Sequence, residues 1–349
     1  MTPSDPDRAG EAVTAAHGAG TERTRDLLDR VVVDRLGDAG SADVGLAALD
    51  DGAVVPDDGA SGATVVTTDA HVVDPPTFPG GDVGRLAVCG TVNDLAAMGA
   101  TDDLTLSSAL VVEAGTPVET VDRVTASMAA ACEEAGCTVR TGDTKVMGSG
   151  EVDGVVVTTT GVGRIERGAD LAAAGVSPGD RLLVTGPVGD HGVALLAARE
   201  GFEFASPLES DVRPVNDLVA AAREAGAVTA ATDPTRGGFA AAVNELAAAA
   251  GVGLVVDERA IPVDEATAGA AEVLGIDPLT VACEGRMLLA VAPDDAEAVR
   301  DSLRATPGGE RAAVVGRAVA DHEDDVVLDT GLGERYLTVP TGERLPRIC

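Results

Sequence analysis

Tryptophan is absent from the 349 residues, tyrosine occurs once and phenylalanine four times. A chain that is nonetheless 45% hydrophobic must build its core from small side chains, alanine and valine above all, packed at close range. Basic residues are also scarce: 25 against 58 acidic ones, for a formal net charge of −33. That balance argues against nucleic acid and anionic membrane as partners, because both reward a basic surface. The apolar content argues against disorder, the usual companion of high net charge. A folded, strongly acidic protein suits a high-salt cytoplasm, where screening relieves self-repulsion, so a halophilic source is expected. An acidic protein from a high-GC genome is the alternative. No apolar run is long enough to span a bilayer, the longest being Leu246 to Val256. The first 25 residues hold Asp5, Asp7, Glu11 and Glu22 in place of an apolar segment, which argues against a secretory signal. The five cysteines (Cys89, Cys132, Cys137, Cys283 and Cys349) include no Cys-x-x-Cys. Neither a zinc ribbon nor a disulfide framework is expected, and a cytoplasmic location fits. Also missing are a P-loop and a complete Gly-x-Gly-x-x-Gly; the glycine-rich His17-Gly-Ala-Gly20 falls short of both.

What is present reads as two α/β or α+β domains with mixed sheets. Residues 1–40 are expected to form a lead and a first helix over Thr21–Leu36, with Leu27, Leu28, Val31, Val32 and Leu36 as its apolar stripe. Residues 41–163 form a first domain. Its strands are read at Ala63–Thr68, Leu104–Val112 and Val155–Val162, and its helices at Gly84–Met98 and Pro117–Ala135. Residues 164–332 repeat the rhythm. Strands are read at Arg181–Thr185, Gly253–Val256, Met287–Ala292 and Ala312–Ala318, and helices at Gly192–Glu200, Asn216–Ala225, Phe239–Ala250 and near Ala296–Ala305. Residues 333–349 carry Pro340, Gly342 and Pro346 and read as a flexible tail.

Several side chains stand where chemistry could use them. Asp51, Asp69, Asp94 and Asp143 lie at strand ends or in glycine- and hydroxyl-rich contexts, where carboxylates can converge on Mg²⁺ and bridge it to phosphate. In so acidic a chain any one of them could equally be solvated surface. The better contexts are Asn93-Asp94 and Gly142-Asp143-Thr144. Lys145 is the only lysine, and an ammonium can bind phosphate as a point charge or lose its proton when desolvated, which arginine does not. Asp233-Pro-Thr-Arg-Gly-Gly238 leads into a helix, so backbone N–H groups around Gly237 and the fork of Arg236 suit a phosphate; an ordinary N-terminal turn is as good a reading. His191 precedes a helix, where a structural hydrogen bond is its commoner use. Glu284, ahead of an apolar strand, could be a general base if burial raises its pKa. Cys349 ends the chain on an extended Pro346-Arg-Ile-Cys349, and a thiolate there could carry an acyl group.

Taken together, Thr67-Thr-Asp69, Phe78-Pro-Gly-Gly-Asp-Val-Gly84, Leu86-Ala-Val-Cys-Gly-Thr-Val-Asn-Asp94, Thr141-Gly-Asp-Thr-Lys-Val146, Gly189-Asp-His-Gly192, Asp233-Pro-Thr-Arg-Gly-Gly238 and the final Pro346-Arg-Ile-Cys349 resemble the HypE family of hydrogenase-maturation carbamoyl dehydratases. That family sits within the aminoimidazole-ribonucleotide-synthetase-like ATP enzymes. The resemblance runs from His17 to the end, and the terminal motif separates it from selenophosphate synthetase and thiamine-phosphate kinase. It implies the two-domain fold of that superfamily, ATP and Mg²⁺ as cofactors, and a homodimer built through the N-terminal domains. It further implies a HypF-type carbamoyltransferase that loads the Cys349 sulfur, and a HypC–HypD iron scaffold that receives the cyano group for a [NiFe] hydrogenase. On this resemblance Asp51, Asp69, Asp94 and Asp143 hold metal, and Asn93, Gly142, Thr144, Arg236 and Gly237 join them around ATP. Lys145 and Glu284 match the positions of the proton acceptors. Thr21 departs from the glycine usual in the family's lead.

Overall fold

The computed structural model describes residues 12–18, 22–37, 42–57, 61–202, 204 and 206–339. Cys349 with the rest of its terminal motif, and Gly20 and Thr21 of the lead, lie outside the described residues. The N-terminal segment forms α1 (Glu22–Leu28), a π-helical turn at Asp29–Val33 and α2 (Asp34–Leu36). The single helix expected over this stretch is therefore broken. None of residues 29–36 is buried, so no packed face imposes one period on them.

The first sheet is built from β1 (Ala53–Pro56), β2 (Gly62–His71), β5 (Thr105–Glu113), β6 (Thr138–Met147) and β7 (Val155–Glu166). A small hairpin of β3 (Thr77–Phe78) and β4 (Gly81–Asp82) stands apart from it. Two helices complete this half: α3 (Val83–Ala97) and α4 (Val118–Ala135). The strand order is β1-β2-β7-β5-β6, and β5 with β6 is its one parallel pair. A parallel pair needs a crossover, and α4 supplies it. Pro117 precedes that helix, and Gly136 ends it in the left-handed conformation at φ 67°.

The second half contains β8 (Arg181–Val184), α5 (Asp190–Glu200), α6 (Asn216–Ala225), β9 (Val228–Thr232), α7 (Gly238–Ala250), β10 (Gly253–Asp257), α8 (Glu265–Leu274), β11 (Leu288–Val291), α9 (Ala296–Ala305), β12 (Ala313–Val319), β13 (Val326–Asp329) and β14 (Glu334–Tyr336). Its seven strands form one mixed sheet in the order β14-β13-β10-β12-β8-β11-β9. The flexible reading of residues from 333 onward needs correction at its start. β14 pairs antiparallel with β13, and Leu337 is buried with its N–H donating to Val326 O at 2.8 Å.

Helix α3 joins the halves. Asp82 caps it by accepting the Arg85 N–H at 2.9 Å. Thirteen of its residues, from Val83 to Ala97, are buried. One flank packs on β2 and β7, another on α4, and its end meets α6. The scarcity of large side chains makes this possible. Leu86, Val88 and Leu95 fill the first core, while Ala96 and Ala97 fit among Leu183, Leu218 and Met287 of the second half. Phe239 is the one aromatic among the largest fully buried side chains, in line with a core made of small residues.

Candidate active site

Residues from both halves enclose a cleft of about 1230 Å³. Asp51 sits just before β1, Thr67 and Asp69 lie on β2, and Gly90 and Asp94 lie one turn apart on α3. The second half contributes Asp233, Thr235, Arg236, Glu245 and Glu284. Arg23 and Arg25 of α1 line it, and so do Thr338 and Val339.

At its floor Asp51, Asp94 and Asp233 each present a carboxylate oxygen, all within 4.8 Å of one another. Loss of solvent is the first cause that pushes the Asp51 and Asp94 carboxyls well above their usual range, and the neighbouring carboxylates add to it. Asp233 is pushed up to about 7, again first by burial and then by the charge of Asp69. Thr67 Oγ1 donates to Asp94 Oδ2 at 2.8 Å, and Thr235 Oγ1 to Asp233 Oδ1 at 3.3 Å. Asp51 Oδ2 is buried with no hydrogen-bond partner. Three converging carboxylates with an orphaned oxygen are a donor set suited to a hard divalent cation, which would neutralise them and meet phosphate oxygens.

Asp69 stands on the same wall, accepting the Ala70 N–H at 2.7 Å and lying 3.3 Å from Nε2 of buried His71. Desolvation lowers the His71 pKa more than Asp69 raises it. Arg236 also lines the cleft. Gly237 and Gly238 both adopt positive φ, 83° and 62°, at the start of α7, and a Cβ on Gly238 would fall 2.5 Å from Val281 O. Glu284 lines the cleft and is 3% exposed.

Four assignments come out differently within one chain. Gly142, Asp143, Thr144 and Lys145 lie on β6, whose ten residues are all exposed, and none of them lines the cleft. Lys145 Nζ and Asp143 Oδ2 pair at 2.8 Å on that surface, and this hydrogen bond is the main cause holding the Asp143 carboxyl below its ordinary value. Gly142 has a packing reason of its own: a Cβ there would stand 2.3 Å from Ser108 O of β5. Gly142→Ala is expected to cost about 1–3 kcal/mol by prising β6 from β5. A urea midpoint equal to that of the native chain would show that the strands part freely.

Asn93 also departs from its expected place at the nucleotide. Successive residues of a helix point about 100° apart, and Asn93 does not follow Asp94 into the lining of the cleft. Its amide is spent on backbone: Nδ2 donates to Arg213 O and Glu284 O, each at 3.2 Å, and Oδ1 accepts the Val215 N–H at 2.9 Å. Asp233 as a third carboxylate and Glu245 as a further acid lining the cleft were not singled out from the sequence. Asp233 had a signal, the turn after a strand, but read as a phosphate loop.

Residues 49–165 match the family model for the N-terminal domain of AIR synthase related proteins, and residues 177–329 the model for the C-terminal domain. The carbamoyl dehydratase HypE of Rhodobacter capsulatus is 46% identical over 342 residues, 97% of this chain and 98% of that protein. The chain belongs to the HypE family. A crystal structure of a HypE–HypF complex superposes with a TM-score of 0.82 at 36% identity, covering 90% of this chain and 99% of that one. A HypE crystal structure in complex with ATP gives 0.79 at 36% identity, covering 97% and 100%. In this HypE-family fold, no helix among the described residues is long and apolar enough to cross a membrane.

Proposed function

We propose that this chain uses ATP to dehydrate a carbamoyl group carried on the sulfur of Cys349, leaving a thiocyanate. The observation that carries the reading is the meeting, in one cleft, of the carboxylate trio, Glu284 and the chain's own Thr338 and Val339. Cys349 lies ten positions beyond Val339, a covalent reach of at most about 35 Å. A substrate carried on that sulfur can reach the site without leaving the chain, and the reaction becomes intramolecular.

An amide oxygen is a poor leaving group. The carbamoyl oxygen takes the γ-phosphoryl group, ADP departs and one nitrogen proton is lost; phosphate then leaves with the second proton, and the C≡N bond remains. Asp51, Asp94 and Asp233 would hold Mg²⁺, which supplies charge neutralisation at the phosphates. Arg236 and the N–H groups at the start of α7 orient the phosphate tail. Glu284 and Lys145 are the two groups suited to accept the protons. Water has to be kept from the activated carbamoyl group, which it would hydrolyse.

A homodimer accounts for β6. It is an edge strand of ten exposed residues with one paired side, the kind of surface a second copy covers. In that assembly Asp143 and Lys145 serve the partner's cleft. The cytoplasmic partners are a HypF-type carbamoyltransferase, which loads Cys349, and a HypC–HypD scaffold, which takes the cyano group. A HypE relative solved together with HypF supports the first.

The test is ADP formation. Chain loaded with carbamoyl on Cys349 should release one ADP for each thiocyanate formed, and unloaded chain should release almost none. Equal ADP release from both would overturn the assignment.

A further inference from the structure

Glu284 is held by its backbone from two directions. Its N–H donates to Asp211 Oδ1 at 3.1 Å. Its carbonyl oxygen accepts Asn93 Nδ2 at 3.2 Å and the Arg213 N–H at 3.3 Å. Asn93 is the only one of these partners that comes from the first half of the molecule. It is 1% exposed, and its three side-chain hydrogen bonds all cross to the second half: to Glu284 O, Arg213 O and Val215 N. The same ribbon is stitched to the first half on either side of this point. Arg85 Nε donates to Val212 O at 2.9 Å, and Asn216 Nδ2 donates to Ala135 O and Thr101 O at 3.1 Å.

The next residue along α3 is Asp94, one of the cleft's three carboxylates. One rigid helical step therefore connects the carboxylate that faces the phosphates to the clasp that holds Glu284. An asparagine suits this place because it offers two N–H donors to two carbonyls and an oxygen to one N–H. An aspartate of the same shape keeps the acceptor and loses both donors. It would also set a charge against two carbonyl oxygens in a buried site.

We propose that Asn93 is a positioning residue for Glu284: its three-bond clasp on the 213–215 and 284 backbone sets where the Glu284 carboxylate stands relative to Asp94. The proposal rests on the reading of Glu284 as a proton acceptor in dehydration. A displacement of Glu284 of the order of an ångström slows such a step without removing any group that binds ATP.

The experiment is a double-mutant cycle on full-length protein already carbamoylated at Cys349. Single-turnover loss of water is followed by intact mass, and ATP affinity is measured on the same samples. Asn93→Asp should slow dehydration about 10- to 100-fold while the ATP Kd stays within about threefold. In a Glu284→Gln background the same change should cost less than about threefold, because the group it positions is already disabled. If Asn93→Asp does not fold, Asn93→Ala removes the side-chain hydrogen bonds without adding charge and enters the same cycle. Equal slowing in both backgrounds would overturn the positioning role while leaving Glu284 in place. A loss of ATP affinity as large as the loss of rate would instead make Asn93 a nucleotide ligand, and also overturn it. A Glu284→Gln chain that dehydrates at the native rate would sink the assignment of Glu284 itself.

Discussion

Asp94→Asn is expected to slow ATP-dependent dehydration by about a hundred- to a thousandfold, and to make the nucleotide-free chain more resistant to heat near pH 8. Both effects come from one cause. Asp94 shares the cleft floor with Asp51 and Asp233, and all three carboxyl groups are displaced upward, first by loss of solvent and then by nearby carboxylates: Asp233 acts on Asp51 and Asp94, and Asp69 acts on Asp233. A carboxyl whose folded pKa is raised holds its proton more tightly when folded than when unfolded. Its contribution to stability is complete below the unfolded value, near 3.8, and disappears as pH rises through the folded value, about 7 for Asp233. Without a cation, the trio therefore destabilises the fold progressively over that window. An asparagine at Asp94 carries no charge, so the remaining pair repels less and the melting temperature near pH 8 rises. Mg²⁺ should stabilise the native chain more near pH 8 than near pH 6, because protons and cation compete for the same oxygens. The variant should gain much less. Melting curves at the two pH values, with and without Mg²⁺, check this. A native-like rate, or a cation response that ignores pH, would remove the trio from the site.

Lys145→Met and Asp94→Asn should each be nearly inactive as homodimers and yet recover activity when mixed. Within one chain Lys145 lies on exposed β6, away from the cleft that holds Asp94. If Lys145 serves the partner's cleft, a mixed dimer contains one site with both groups intact and one with neither. Random exchange makes half of the dimers mixed, so activity should return to about a quarter of native. Should Lys145 act within its own chain, every site in every mixed dimer lacks one group, and no activity returns. The two outcomes differ by well over tenfold, and they separate a site shared between two chains from one built within a single chain; a Lys145→Met homodimer with native activity would show a misassigned lysine.

Why β6 escaped the sequence reading follows from the same geometry. A strand becomes legible when one face is apolar and the other polar. Thr138, Arg140, Thr141, Asp143 and Lys145 give β6 no such face, since none of its residues is buried within the chain. β7 is the opposite case: buried positions alternate along its length, and the Val/Thr pattern from Val155 marks it. Helices with clear ends were legible too. Pro117 and Gly136 bracket α4, and α6 forms over the stretch read for it, Asn216–Ala225. The candidate site was legible as motifs but not as a constellation. Asp51, Asp94 and Asp233 come from distant points in the chain, and only the packing of α3 against both halves brings them within one ion's reach. The motif resemblance places Asn93 with Asp94 around the nucleotide, but neighbours along a helix point about 100° apart, and a motif does not show which of the two enters the cleft. The AIR synthase related family models and the full-length HypE relatives agree with the family drawn from the motifs.

The central claim is that Cys349 is the carrier of the substrate, and intact mass spectrometry of the chain tests it most directly. The chain is incubated with carbamoyl phosphate, Mg²⁺ and a HypF-type partner supplied with ATP, and then chased with further ATP. The expected record is a gain of one carbamoyl group followed by the loss of one water, both localised to the C-terminal peptide and both absent from Cys349→Ser. A Cys349 sulfur that stays unmodified under these conditions, while the chain still consumes ATP, would contradict the claim and point to another ATP-dependent synthetase or kinase of the same superfamily.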